Sequence, residues 1–229
     1  MKHHRPLERG PDATLSQVFT TEDIPVLTLQ ASVPQFVPQD RRSRRINRYY
    51  RQFLRSTQKY CQNGLLPSMT ARFTQALAEN APLPEYRVEL HYHISYENGR
   101  FWSLYLESAE RENGHTRLRI RRGDCWDLET GYPIALSAFF PVRHPWRSLL
   151  LAHTVRQMQA AEEDGTSLYH PDWRERVRRQ FNPMNFYLTL EGLCWFYPMY
   201  ALGPSAEGIP RFCLPWGEDF PTLPPAHRL

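Results

Sequence analysis

Lysine is almost missing from this 229-residue chain. Lys2 and Lys59 stand against 26 arginines, and the formal net charge is only +4. Lysine-rich tails of the kind that bind polyanions are therefore excluded. The arginine runs, Arg41–Arg45 and Arg174–Arg179, sit on amphipathic helical patterns, where solvated basic faces are expected, and no nucleic-acid motif accompanies them. Cysteine is also scarce. Cys61, Cys125, Cys194 and Cys213 are too few and too scattered for a disulfide framework, and none has the spacing of a zinc site. A bridge between Cys194 and Cys213 is conceivable, because both lie on strands that could be neighbours. Free buried thiols are the expectation in a chain with no export signal.

Long apolar runs are absent as well, so no segment reads as a membrane span. The opening MKHHRPLERGPDATL is polar and broken by proline, without the apolar core of a signal peptide. As written, the sequence points to the cytoplasm. There is no P-loop, dinucleotide fingerprint or HExxH. Gly203-Pro204-Ser205-Ala206-Glu207-Gly208 has the spacing GxSxxG rather than GxSxG, and no strand-to-helix turn is predicted there, which excludes a nucleophile elbow. With no catalytic constellation, cofactor motif or metal signature, the chain reads as a binding protein rather than an enzyme.

What remains is a scaffold with a clear pattern. The apolar fraction of 41% and a length of 229 residues suit one large domain. Residues 1–20 read as a flexible arm and 21–229 as a single domain. Thr21 to Pro38 contains the alternating stretch Ile24, Val26-Leu27, Leu29, Ala31 and Val33, and Pro25 and Pro34 mark it as an edge strand. Asp40 is an N-cap, followed at helical spacing by Ile46, Tyr49, Tyr50, Phe53 and Leu54. Gly64 and Pro67 predict a break, and Met69, Phe73, Ala76 and Leu77 make a second, shorter helix.

Tyr86 to Asp127 is the most regular stretch. Tyr86, Val88, Leu90, Tyr92, Ile94 and Tyr96 alternate against Arg87, Glu89, His91, His93 and Ser95. The triplet Glu-Asn-Gly occurs at 97–99 and again at 112–114. Asn-Gly favours a two-residue type I′ turn, yet side-chain parity argues for three-residue bulged loops with Gly99 and Gly114 at positive φ. That pairing sets Ile94 against Trp102 and Leu106 against Ile120, giving a meander with one continuous apolar face. Helices follow at Pro145–Ala161 and from Pro171-Asp172. In Asn185–Pro215, a two-residue turn at Glu191-Gly192 pairs Leu190 with Leu193, Leu188 with Trp195, and Phe186 with Tyr197. A last strand runs from Ile209 to Leu214. The fold class is α+β: an antiparallel sheet, meander plus closing hairpin, covered by helices.

This order resembles RsiV-like domains, from roughly Thr21 to Gly217. The resemblance is carried by the strand followed by Asp127-Leu128-Glu129-Thr130-Gly131, and by the closing hairpin with its YPMYALGPSAEGIP segment. RsiV-like domains form the extracytoplasmic part of a lysozyme-sensing anti-sigma factor and recur beside the peptidoglycan deacetylase PdaC. The resemblance implies a non-enzymatic sensing module in the cell envelope, whose partner is a lysozyme-like hydrolase or a cell-wall fragment.

Three sets of residues are candidates for function. His91 and His93 share a strand face, with Glu89 or Glu107 near enough in sequence to complete a metal site. Plain alternation also explains both histidines, and no bound metal is expected. Asp124, Asp127 and Glu129 offer paired carboxylates for glycan hydrolysis, although Asp-Leu-Glu-Thr-Gly is ordinary turn chemistry, with Gly131 at positive φ. A small hydrolase built on His91, His93 and Asp127 is thus the alternative to the binding module. The third set, Tyr197, Pro198, Met199, Tyr200, Pro204, Ser205 and Glu207, forms an aromatic and proline-restricted loop suited to partner contact, with Glu207 as a possible mimic of an acidic substrate group.

Overall fold

The computed structural model describes residues 6–217 and 221–223. The fold is α+β, with a six-stranded sheet, a second sheet of three strands, and helices. The chain divides into two compact units. Unit 1 comprises Met1–Tyr92, Leu106–Arg119 and Leu128–Gly131, and unit 2 comprises His93–Tyr105, Ile120–Asp127 and Tyr132–Leu229. Strands β3 (Tyr86–Glu97), β4 (Phe101–Glu112) and β5 (His115–Asp127) are shared by both units. That is why no linker composition marks the division.

In unit 1, β1 (Ala13–Thr21) pairs antiparallel with β2 (Ile24–Val33), and β2 pairs in parallel with β3. Two expectations are corrected here. The supposed arm carries a nine-residue strand, and β2 is an interior strand because β1 takes the sheet edge. Pro25 is tolerated because it lies at the start of β2, beside the register shift at Phe19/Thr20, and Pro34 lies past its end.

A parallel pair needs a crossover, and a helical segment supplies it. Helix α1 (Arg41–Tyr60) starts at a capping box: Asp40 accepts from the backbone of Arg42 and Ser43, and the Ser43 hydroxyl accepts from Asp40 N–H at 3.1 Å. Burial opposes charge on Asp40, but the Ser43 N–H and the Arg42 guanidinium outweigh it, so its pKa lies below the ordinary value. The expected break at Gly64 and Pro67 does not occur. A π-turn over Cys61–Leu65 joins α1 to α2 (Leu66–Ala78), loosening the hydrogen-bond ladder where Pro67, in the first turn of α2, has no N–H to give. Ile46 and Tyr50 of α1, and Met69 and Phe73 of α2, are buried.

The two Glu-Asn-Gly turns behave differently. At the first, three residues separate β3 from β4, and Asn98 Oδ1 accepts from the N–H groups of Arg100 and Phe101. Gly99 is absent from the residues with positive φ, against expectation, since this side-chain bracket holds the loop instead. The Ser95 hydroxyl lies 3.3 Å from Ser103 O, and the rings of His93 and Tyr105 are 5.2 Å apart. Position 95 thus lies beside 103, two residues along β4 from the expected pairing. A shift of two preserves parity, and Trp102, Leu104 and Leu106 are buried as expected.

At the second turn the dipeptide habit prevails. Only Asn113 and Gly114 separate β4 from β5, with φ of 50° and 81°, the type I′ signature. The alternation of β5 then slips at Arg119-Ile120, where both residues are exposed, as a bulge would leave it. Ile120 is therefore outside, 51% exposed, and the apolar face does not continue to it.

In unit 2, β6 (Tyr132–Pro133) closes the large sheet against the end of β5. Helices α3 (Trp146–Glu163) and α4 (Trp173–Arg179) follow. The closing hairpin forms a sheet of its own from β7 (Phe186–Leu188), β8 (Gly192–Phe196) and β9 (Arg211–Pro215). Its register is Phe186↔Trp195 and Leu188↔Leu193, again two residues from the expected pairing and again with parity intact. The Thr189 N–H and hydroxyl bind Gly192 O, which tightens the turn and leaves Leu190 75% exposed. Phe186, Leu193, Trp195, Tyr197, Phe212 and Trp173 share one buried cluster. Tyr187, Cys194 and Phe196 are buried on the opposite face, so the hairpin is covered on both sides rather than half-buried. Gly123 allows that covering: a Cβ there would collide with the Phe186 carbonyl oxygen.

Candidate partner-binding loop

Residues 197–210 connect β8 to β9, and the chemistry of the two strands sets their ends. Tyr197 N–H donates to Pro210 O at 2.9 Å, closing the loop at its base. Cys194 stands directly opposite Cys213, and the two form a disulfide. The expectation of free thiols therefore fails for this pair and stands for Cys61 and Cys125, both buried and free. Strand register was what decided it, and sequence spacing does not reveal register.

The loop itself divides into anchors and presented residues. Tyr197 is fully buried and its hydroxyl donates to Val177 O at 3.1 Å; burial raises its pKa far above the phenol range. Met199, Ala201 and Leu202 are buried too. Pro198, Tyr200, Pro204 and Ser205 are exposed. Tyr200 has φ of 69°, unusual for a large side chain, and a backbone bond from Ala201 N–H to Pro198 O (3.1 Å) turns the chain around it.

A neighbouring segment, which sequence reasoning missed, props the loop. Leu168 N–H donates to Glu207 Oε1 at 2.5 Å, and His170 N–H donates to Leu202 O at 2.9 Å. Gly203 lacks the Cβ that would crowd Glu207 Cγ at 2.7 Å and Leu168 O at 3.1 Å. Burial, and then the nearby Glu207 charge, raise the pKa of Tyr169. The Glu207 carboxylate is thus engaged inside the loop. No signal in the sequence links 168–170 to this loop, since Leu168 is 60% exposed and belongs to no element.

The other candidates are placed less favourably. His91 and His93 are exposed, and Glu89 is engaged by Arg111 at 3.3 Å. Among the described residues no group of three or more His, Cys, Asp or Glu side chains is placed to hold a metal. Asp127 is buried against Arg100 at 3.4 Å, Asp124 is buried against Arg122 at 3.4 Å, and Glu129 is exposed. Gly131 has the expected positive φ of 70°; a Cβ there would lie 2.8 Å from Arg42 Cα, and the Arg42 guanidinium donates to Leu128 O at 2.9 Å. The Asp-Leu-Glu-Thr-Gly turn is a seat for the start of α1. A cleft of about 460 Å³, not foreseen from sequence, is lined by Leu136, His144, Trp146, Arg147, Pro183 and Met184 among others.

The class defined so far is an α+β protein with a stapled, propped loop on a small second sheet. A family described as "Protein of unknown function (DUF3298)" matches residues 148–217, the span from α3 through β9 that contains the loop. Two solved structures share the fold across most of their length. A DUF3298 family member from Bacteroides fragilis is 15% identical, with a TM-score of 0.60 over 92% of this chain and 90% of that one. A DUF3298 family protein from Pseudomonas aeruginosa PAO1 is 13% identical, with a TM-score of 0.58 over the same shares. No curated protein matches the chain. Among the described residues no helix is long and apolar enough to cross a membrane.

Proposed function

We propose that this chain is a non-enzymatic binding module of the RsiV-like type, and that the loop between β8 and β9 is its recognition element. One observation carries the reading. Buried anchors at Tyr197, Met199 and Leu202, with the Glu207 prop to Leu168, hold Pro198, Tyr200, Pro204 and Ser205 at the surface in one conformation. A loop ordered before binding loses little entropy on contact, and an exposed tyrosine offers a large rigid area. Of the seven residues expected to touch the partner, Tyr197 and Met199 serve as anchors and Glu207 as a prop. The partner class follows from the RsiV-like resemblance: a lysozyme-like cell-wall hydrolase, with a cell-wall fragment as the second possibility. The disulfide beneath the loop suits an oxidising compartment.

The test is titration of the purified chain with lysozyme, and separately with soluble peptidoglycan fragments, monitored by calorimetry. The Tyr200→Ala, Pro204→Ala double variant is expected to unfold at the wild-type temperature and to lose roughly a hundredfold in affinity, as removal of a central aromatic anchor does. Wild-type affinity in that variant would make the loop a cap on the small sheet and nothing more.

A further inference from the structure

Strand β1 breaks the usual rules for a sheet edge. It is the outermost strand of the six-stranded sheet, and among the described residues no backbone bond reaches its outer side. Exposed edges are normally blunted by being short, by lysine or proline, or by inward-pointing charge. ATLSQVFTT is nine residues long, has no charge and no proline, and is rich in β-formers. Its one irregularity, the register shift at Phe19/Thr20, lies near one end. The opposite edge of the sheet, β6, is two residues long and offers no comparable template.

We infer that β1 is the pairing edge of a two-fold homodimer, in which it aligns antiparallel with β1 of a second copy about Gln17. The partner is read from the strand's own pattern. Centring on Gln17 sets Gln17 against Gln17, Ser16 against Val18, and Leu15 against Phe19. The half-buried or buried Leu15 and Phe19 then meet on one face, and the exposed Ser16 and Val18 meet on the other. No like charges oppose each other along the strand. Asp12 and Glu22 flank the neutral stretch and act as gatekeepers that confine the pairing to it. Such a contact is isologous: it uses up both free edges and closes at two copies. The inference stands independently of the recognition loop, because no residue of 197–210 takes part in it.

The experiment uses the full chain in a concentration series reaching the millimolar range, with mass read by light scattering after gel filtration. Twice the chain mass is expected at the top of the series and the monomer on dilution. Ser16→Lys, Val18→Lys places lysine opposite lysine twice and is expected to weaken association roughly tenfold. Mixing it with Ser16→Glu, Val18→Glu should restore a dimer of one copy of each. These positions are solvent-exposed, and thermal unfolding checks that the fold survives. In the Gln17→Cys variant the two sulfurs face each other across the axis at a span a disulfide can bridge, so mild oxidation should give a covalent dimer. A monomer at every concentration overturns the inference. So does a dimer that ignores the lysine pair and leaves the Gln17→Cys variant uncrosslinked.

Discussion

The two units share three strands yet are held together by different means. In unit 1 the interior is partly ionic. Glu110 is 5% exposed and accepts from the hydroxyls of Tyr60 at 2.7 Å and Tyr86 at 2.6 Å. Burial, and then that carboxylate, push the Tyr60 pKa up to about 12, and burial followed by the same charge lifts the Cys61 thiol to about 11. Two residues along β4, Glu112 is gripped by Arg72 at 2.5 Å and Arg117 at 2.7 Å. Asn47, also buried, both donates to and accepts from the Phe36 backbone. In unit 2 the interior is aromatic, with Trp195, Tyr197, Phe212 and Phe186 in one cluster. Two buried acids lie in this unit as well, Asp124 beside Arg122 and Asp127 beside Arg100, while Ser103 serves the backbone by accepting from Leu188 N–H at 2.9 Å. Hydrogen-bonded polar groups therefore run through the interior of unit 1, whereas in unit 2 the largest share of the interior is close-packed aromatic side chains.

That contrast predicts a ranking of damage. Trp195→Ala should cost the most, about 3–5 kcal/mol, because a fully buried indole leaves a cavity and the Thr154 hydroxyl loses its 3.0 Å partner. Chemical unfolding would show it, and hydrogen exchange should rise chiefly in 132–217. Glu110→Leu should cost about 2–3 kcal/mol, since the buried Tyr86 hydroxyl loses its acceptor while the partly exposed Tyr60 can turn to water. Exchange should then rise at residues 41–92 and 106–119. If Glu110→Leu proves harmless, the ionic account of unit 1 fails. Asp40→Ala should cost about 1 kcal/mol at neutral pH by removing the helix cap. Because the folded pKa of Asp40 is depressed, its contribution is complete above the unfolded value of 3.8 and is lost as pH falls through the lower folded value. The gap between variant and wild type should therefore close in acid.

Faces were easier to read than register. At the first meander turn and in the closing hairpin, the observed pairing differs from the expected one by two residues, and the apolar side chains kept their predicted side except Leu190, which the tightened turn leaves exposed. Parity is written in the alternation, while register depends on side-chain bonds such as those of Asn98 and Thr189. Where two local signals disagreed, at Asn113-Gly114, parity was the wrong guide, because the phase slip at Arg119-Ile120 had already changed it. Strand β1 was not foreseen because only Leu15, Val18 and Phe19 of its nine residues are large and apolar, and Val18 breaks their alternation by pointing outward. The loop was recognised as a unit, but its inside and outside were not separated. Tyr197 continues the buried alternation of β8, and Met199 turns inward. The disulfide, the Leu168 prop and the left-handed backbone of Tyr200 all depend on tertiary neighbours.

The π-turn between α1 and α2 has a consequence for the helix as a measuring device. Tyr50 and Met69, buried residues of α1 and α2, are nineteen positions apart. At about 100° per residue, an unbroken α-helix would point them about 100° apart, and α2 would roll its apolar side away from α1's. Leu66 N–H reaches back five residues to Cys61 O, so the turn holds one residue more than an α-turn. Eighteen effective steps make five whole revolutions, and Met69 returns to the side of Tyr50. The turn thus acts like a leap day, a surplus unit inserted so that two calendars agree. One residue can be lost within Cys61–Leu65, restoring a plain α-turn, without moving either apolar side, whereas a loss elsewhere in α1 or α2 would set the two out of step.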